Sequence, residues 1–206
     1  MTTKEQFLNF DYIPAVKKYT LEGLNQPADL FKLLYKRKFG LGIVAGTDLM
    51  EIRKTLFAVA NAFEGYRFSI ELRSEASEPL PGVTSLNVDH YTLGADRIMK
   101  NGHNDHLIIM DSVDTPEKLE MAVNYASAGG MIIAPVISVS MEKTLDMLCE
   151  SGRVIAPYSF AHSFTYFAQQ NVVVDPSAPH EEAPVVVTQL KAVDVSMRND
   201  LAAKRG

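Results

Sequence analysis

The sequence lacks the groups that would place it in several common classes. It has one cysteine, Cys149, in 206 residues, which excludes an internal disulfide and a cysteine-built metal site. No apolar run approaches the ~18 residues needed to span a bilayer. The opening stretch MTTKEQFLNF has no apolar h-region, so no secretory signal is expected. No basic block is present, and the net charge is −5 with a pI of about 5.5. Non-specific nucleic-acid binding and attachment to an acidic membrane are therefore disfavoured. The five histidines are scattered. His103 and His106 flank Asp105, a pair too small to define a metal site, and no metal is expected.

What remains is an ordinary globular mix, 47% hydrophobic and 22% charged. A chain of this length buries roughly 70% of its unfolded surface and fits one domain plus a short arm.

Buried-strand patterns alternate with helical ones. ADLFKLLYKRK (28–38) spaces Leu30, Leu33 and Leu34 for a short amphipathic helix with a cationic end. GLGIVAG (40–46) reads as a buried strand. A helix follows over 49–63, with Leu49, Ile52, Leu56 and Ala60 on one face. RFSIEL (67–72), VTSLNV (83–88) and HLIIMD (106–111) are further strands, with helical residues around 93–99. TPEKLEMAVNYASAGG (115–130) is the clearest helix, with Thr115 as N-cap, Pro116 in the first turn and two glycines at its end. MIIAPVI (131–137) is a strand, and SMEKTLDMLCESG (140–152) is a capped helix. FAHSFTYFAQQ (160–170) reads as helical. NVVVDP and PVVVTQL are late strands able to pair as a hairpin across a 176–184 loop, and a polar helix follows Asp194. Such alternation predicts an α/β domain with a mostly parallel sheet. Any chemistry belongs at the carboxyl ends of its strands.

The order of these pieces resembles the motor domain of the secretion and pilus ATPases, the PilT/GspE family, from about Gln26 to Arg198. GLGIVAG resembles the strand entering that family's phosphate loop, and SIEL its acidic box. NDHLIIMDSVDTPEKLEMAVNYASAGGMIIAPV resembles its Walker B strand, the acidic turn, the next helix and the following strand. The resemblance implies a RecA-like P-loop-type domain over 26–206, with helices on both faces of the sheet. Residues 1–25 would be an arm, and the family's separate N-terminal domain would be absent.

The nucleotide-site positions depart from the family. A P-loop needs G-x-x-x-x-G-K-[ST], whose glycines let amides close on phosphate, whose Lys neutralises charge and whose hydroxyl holds Mg²⁺. Counted from Gly46, those last three positions are Glu51, Ile52 and Arg53. One carboxylate beside phosphate costs ~4 kcal/mol at 4 Å and an effective dielectric near 20. In a second register Lys54 and Thr55 supply the Lys-Thr pair, with Arg53 in place of the glycine. Glu71 falls at the acidic-box glutamate, followed by Leu72 and Arg73 where the family has Asp-Pro. Asp111 falls at the Walker B glutamate and Asp114 at a later aspartate, with Val113 where an Arg stands. Gly130 and Ile137 replace two histidines. Gln169 matches, but Gln170 replaces an Arg.

Core strands and caps survive while Lys, hydroxyl, His and Arg positions are lost. This pattern implies a fold kept without ATP hydrolysis. The expected function is that of a catalytically degenerate pseudo-ATPase acting by protein binding, without a cofactor, as an accessory or regulatory part of a pilus, secretion or conjugation machine. The expected partners are proteins, such as an active hexameric ATPase of that kind or further copies of this chain. The expected location is cytoplasmic, peripheral to the inner membrane through partners. The alternative is an ATPase that binds ATP and magnesium through Lys54 and Thr55.

Overall fold

The GLGIVAG run forms strand β1 (Gly40–Gly46), and every one of its residues is buried. Small and β-branched side chains with no polar alternation suit a strand covered on both faces. The computed structural model describes residues 19–63, 66–72, 84–88, 106–173 and 185–204. Helix α1 (Ala28–Arg37) precedes β1, and α2 (Leu49–Ala62) follows it. Then come β2 (Tyr66–Leu72), β3 (Thr84–Val88), β4 (His106–Met110), α3 (Pro116–Ser127), β5 (Met131–Ile137) and α4 (Met141–Ser151). A short 3-10 turn (Gly152–Val154), α5 (Pro157–Ser163), β6 (Phe164–Val173), β7 (Val185–Ala192) and α6 (Val195–Ala203) complete the described chain. The expected helix at 93–99 and loop at 176–184 lie outside the described residues.

The seven strands form one sheet in the order β3-β2-β4-β5-β1-β6-β7. All neighbours are parallel except β6 and β7, which pair antiparallel from Tyr166–Ala192 to Val173–Val185. Alternate residues of β1, β4, β5 and β6 enter two separate cores. Ile43, Ala45, Ile108, Ile132 and Phe167 pack with Leu119, Val123, Leu148, Phe160 and Leu201 on one face. Val44, Leu107, Ile109, Ile133 and Tyr166 pack with Phe31, Ile52, Leu56 and Phe57 on the other. Each fully buried Leu, Ile or Phe contributes roughly 1.5–3 kcal/mol, so both faces are well anchored. The helices cap themselves. The side chains of Thr115, Ser140 and Asp194 accept from Lys118 N, Lys143 N and Met197 N. Residues 19–25 lie against α2: Leu21 is buried, and the Tyr19 carbonyl accepts from Asn61 Nδ2 at 2.9 Å.

Two sequence readings are corrected. The helix expected over 160–170 ends at Ser163, and Phe164 to Gln170 are strand. β6 lies between β1 and β7, so the first seven of its residues are buried without a period of two. Thr165, Tyr166, Phe167 and the valines that follow are strand formers, and the sheet overrides the helical preference of Ala168 and the glutamines. Leu49, expected on the buried face of α2, is exposed at its first turn, while Ile52, Leu56 and Ala60 are buried.

β5 carries Pro135 although it is a central strand. Its ladder with β1 runs the whole strand, whereas its ladder with β4 stops at Ile133. Proline has no N–H to donate, and the two strands part company before it. Asp111 begins its turn away from the sheet at that same level.

Candidate functional site

The carboxyl ends of β1, β5 and β6 meet where a nucleotide site is expected. Gly46 ends β1, and its carbonyl accepts from Ser138 N at 2.8 Å, tying it to the turn after β5. Only Thr47 and Asp48 separate Gly46 from the first residue of α2. Asp48 is the N-cap. Its Oδ1 accepts from the amides of Met50 at 2.8 Å and Glu51 at 3.3 Å. A helix N-terminus with open amides is a ready anion site. Here the chain supplies the anion itself.

Glu51, Ile52, Arg53, Lys54 and Thr55 all lie inside α2. Ile52 is fully buried, and its Cδ1 lies 3.4 Å from the point where a Cβ on Gly46 would sit. The Gln170 backbone carbonyl oxygen lies 3.0 Å from that same point. A side chain on residue 46 would be tight against both, and the isoleucine fills the space above it. Lys54 is in the second turn and pairs with Glu51, three residues back. The hydrogen bond it donates to Glu51 holds its ammonium above the usual lysine range. Thr55 is buried, and its hydroxyl accepts from Gln170 Nε2 at 2.5 Å. Gln170 also reaches Thr188 of β7 at 3.4 Å. Gln169, on the opposite face, donates to the Ser138 carbonyl at 3.1 Å and accepts from Thr144 at 3.4 Å. Both glutamines therefore act as struts.

The acidic positions gather elsewhere on the same edge. β2 and β4 pair as far as Ile70 and Met110, so Glu71 and Asp111 come next at one height. The side chain of Glu71 lies outside the described part. Asp111 is half-buried and faces Lys118 Nζ at 3.7 Å. Asp114 meets the same ammonium at 3.0 Å and accepts from Ser112 Oγ at 2.8 Å. Lys118 Nζ also donates to Ser112 Oγ. Partial burial would raise the Asp114 carboxyl, but Ser112 and Lys118 together hold it below the usual carboxylate range. Among the described residues, no group of three or more His, Cys, Asp or Glu side chains is placed to hold a metal ion.

These residues do not fit a magnesium nucleotide of the P-loop kind. Two residues cannot form the four-residue glycine-flanked arc whose amides enclose a phosphate. The two lysines nearest these motifs are taken up: Lys54 is engaged by Glu51, and Lys118 by Asp111 and Asp114. The sequence reading named these positions and missed the Asp48 cap. Its signal was present, an aspartate directly before an apolar helical pattern.

No family model matches the chain, and no curated protein matches it. Solved structures do. The Legionella pneumophila ATPase DotB superposes with a TM-score of 0.70 at 13% identity, over 90% of this chain and 56% of that one. The pilus retraction motor PilT, solved with bound ADP, gives 0.64 at 15% identity, over 94% and 57%. The fold is that of the secretion and pilus ATPases. The VirB11 ATPase of the Brucella suis type IV secretion system, solved with sulphate, gives 0.61 at 14%, over 87% and 58%. The chain spans little more than half the length of these ATPases. No described helix is long and apolar enough to cross a membrane.

Removing the cap gives a first expected result. Asp48→Ala should lower stability by about 1 kcal/mol, read as the urea midpoint, because two first-turn amides lose their acceptor. A loss well under half of that would show that α2 does not depend on Asp48.

Proposed function

We propose that this is a non-hydrolysing relative of the secretion and pilus ATPases that works by binding protein, as an accessory or regulatory part of such a machine. The observation that carries the reading is the Asp48 carboxylate on the first amides of α2, two residues after β1 ends. Burial of Ile52 and the engagement of Lys54 by Glu51 support it. The same sheet edge exposes apolar side chains. Leu49 and Met50 stand at the start of α2, and Ile137 and Val139 at the end of β5. An apolar edge suits a protein surface better than a triphosphate. Active ring-forming ATPases of this fold, or further copies of the chain, are the proposed partners. The proposed location is the cytoplasm, at the inner membrane only through those partners. Helices α4 and α6 both bury residues in the core. Thr144, Leu148 and Cys149 are covered in the first, and Met197 and Leu201 in the second.

The test is calorimetry with ATP and ADP in the presence of Mg²⁺, with Lys54→Ala as control. The expected result is no binding heat up to millimolar nucleotide in either protein. Micromolar binding lost on Lys54→Ala would establish the second register, and ATP hydrolysis would then be the next assay.

A further inference from the structure

We propose that Lys118 is a built-in cation that takes the place of a divalent metal beside Asp111 and Asp114. The inference extends the reading of a site that binds no magnesium nucleotide.

Lys118 stands where a lysine is locally disfavoured. Thr115 is the N-cap of α3 and Pro116 its first residue, which puts Lys118 third in the helix. The positive end of the helix dipole lies there, and acidic residues or glutamine are favoured. The lysine is nonetheless buried, with its side chain only 11% exposed. A buried ammonium without counter-charge is strongly unfavourable. Its neighbours supply that charge. Asp111 lies 3.7 Å away, Asp114 lies 3.0 Å away, and the Ser112 hydroxyl accepts a hydrogen bond from it.

Of the two carboxylates, Asp111 has the greater need of the cation, because Asp114 is 64% exposed. Asp111 is itself only 18% exposed, and the Ser112–Asp114 turn brings the second carboxylate to the same ammonium. Two carboxylates, a hydroxyl and water are what a magnesium-sized ion asks for. The ammonium holds that position from inside, on a side chain that cannot leave. Each carboxylate therefore faces a positive charge whether or not metal is present, and a divalent ion would have to expel the lysine to enter.

The experiment is a Mn²⁺ titration without nucleotide, read by electron paramagnetic resonance and by thermal melting. It compares the full chain with Lys118→Met, Lys118→Arg and the double variant Lys118→Met/Asp111→Asn. Lys118→Met should bind Mn²⁺ at least ~10-fold more tightly than the parent, a difference of about 1.4 kcal/mol. Its melting midpoint should rise with Mn²⁺ while that of the parent does not move. The double variant should lose the gain, and Lys118→Arg should behave as the parent. Equal Mn²⁺ affinity in parent and Lys118→Met would overturn the proposal. If Lys118→Met does not fold alone, it is refolded with and without millimolar Mn²⁺. Rescue by the ion supports the assignment, and failure in both refutes it. Because no nucleotide is present, a negative outcome leaves the ATP calorimetry to stand on its own.

Discussion

Replacing Ile52 with lysine is expected to destabilise the protein by about 4 kcal/mol and to create no nucleotide site. The substitution restores the residue type that a phosphate loop carries at this position. Ile52 is fully buried in the core between α2 and the sheet, beside Leu56 and Val44. A lysine there loses the apolar burial, worth roughly 1.5–3 kcal/mol. Its ammonium must also lose hydration or thread upward past Gly46. The upward route leads to the first turn of α2, where the helix dipole opposes a cation. Asp48 offers a carboxylate nearby, but it is already hydrogen-bonded to Met50 N and Glu51 N. Urea unfolding and ATP calorimetry on one preparation read both halves of the prediction. An unchanged midpoint together with micromolar ATP binding would show that the helix start can rearrange into a phosphate loop.

Gly42→Ala is expected to cost about 3 kcal/mol, although it adds a single methyl group. The new Cβ would lie 2.4 Å from Tyr166 Cζ and 2.7 Å from its Cε1. That ring cannot retreat. It is fully buried and set edge-on against Phe31 at 5.2 Å. β1 pairs with β6 from Gly42–Tyr166 onward, after a register shift between Leu41 and Gly42, so moving the ring aside means moving the ladder. A double-mutant cycle checks the cause. Tyr166→Leu should recover much of the loss in the Gly42→Ala background while costing stability alone, a coupling characteristic of contacting residues. Tyr166→Phe alone should be neutral or stabilising by up to about 1 kcal/mol. The phenol has no hydrogen-bond partner among the described residues, and removing an unsatisfied buried hydroxyl removes its desolvation penalty. Burial, with Tyr35 nearby, pushes that phenol well above the usual tyrosine range. Additive effects of Gly42→Ala and Tyr166→Leu would contradict this account.

The strands were most legible where burial is complete. GLGIVAG and MIIAPVI match β1 and β5 residue for residue, because unbroken apolar runs bounded by glycine or serine leave little choice. The helix caps Thr115 and Ser140 were equally clear, since an N-cap is a local interaction. β6 was not legible as a strand. A strand buried on both faces has no alternation, and FAHSFTYFAQQ offers alanines and glutamines that favour helix. Its aromatic and β-branched members carried the strand signal, but only its place between β1 and β7 decides the matter. At the candidate site, sequence spacing put Glu51, Ile52 and Lys54 near the end of β1. The strand at 40–46 and the helix from 49 already gave the short connection, but not the engagement of each charge. The pairing of Lys118 with Asp111 bridges a strand end and a helix start, and it depends on how the intervening turn folds.

The Asp48 cap has a consequence for how the domain would answer its surroundings. A free anion at a helix terminus comes and goes with its concentration, and folding stability follows it through mass action. A carboxylate on the chain is an intramolecular ligand whose local concentration dilution cannot change. In the proposed reading, the melting midpoint is then the same in abundant and exhausted nucleotide. Such a subunit keeps one shape through every stage of its neighbours' turnover and can serve as a fixed reference against which they move.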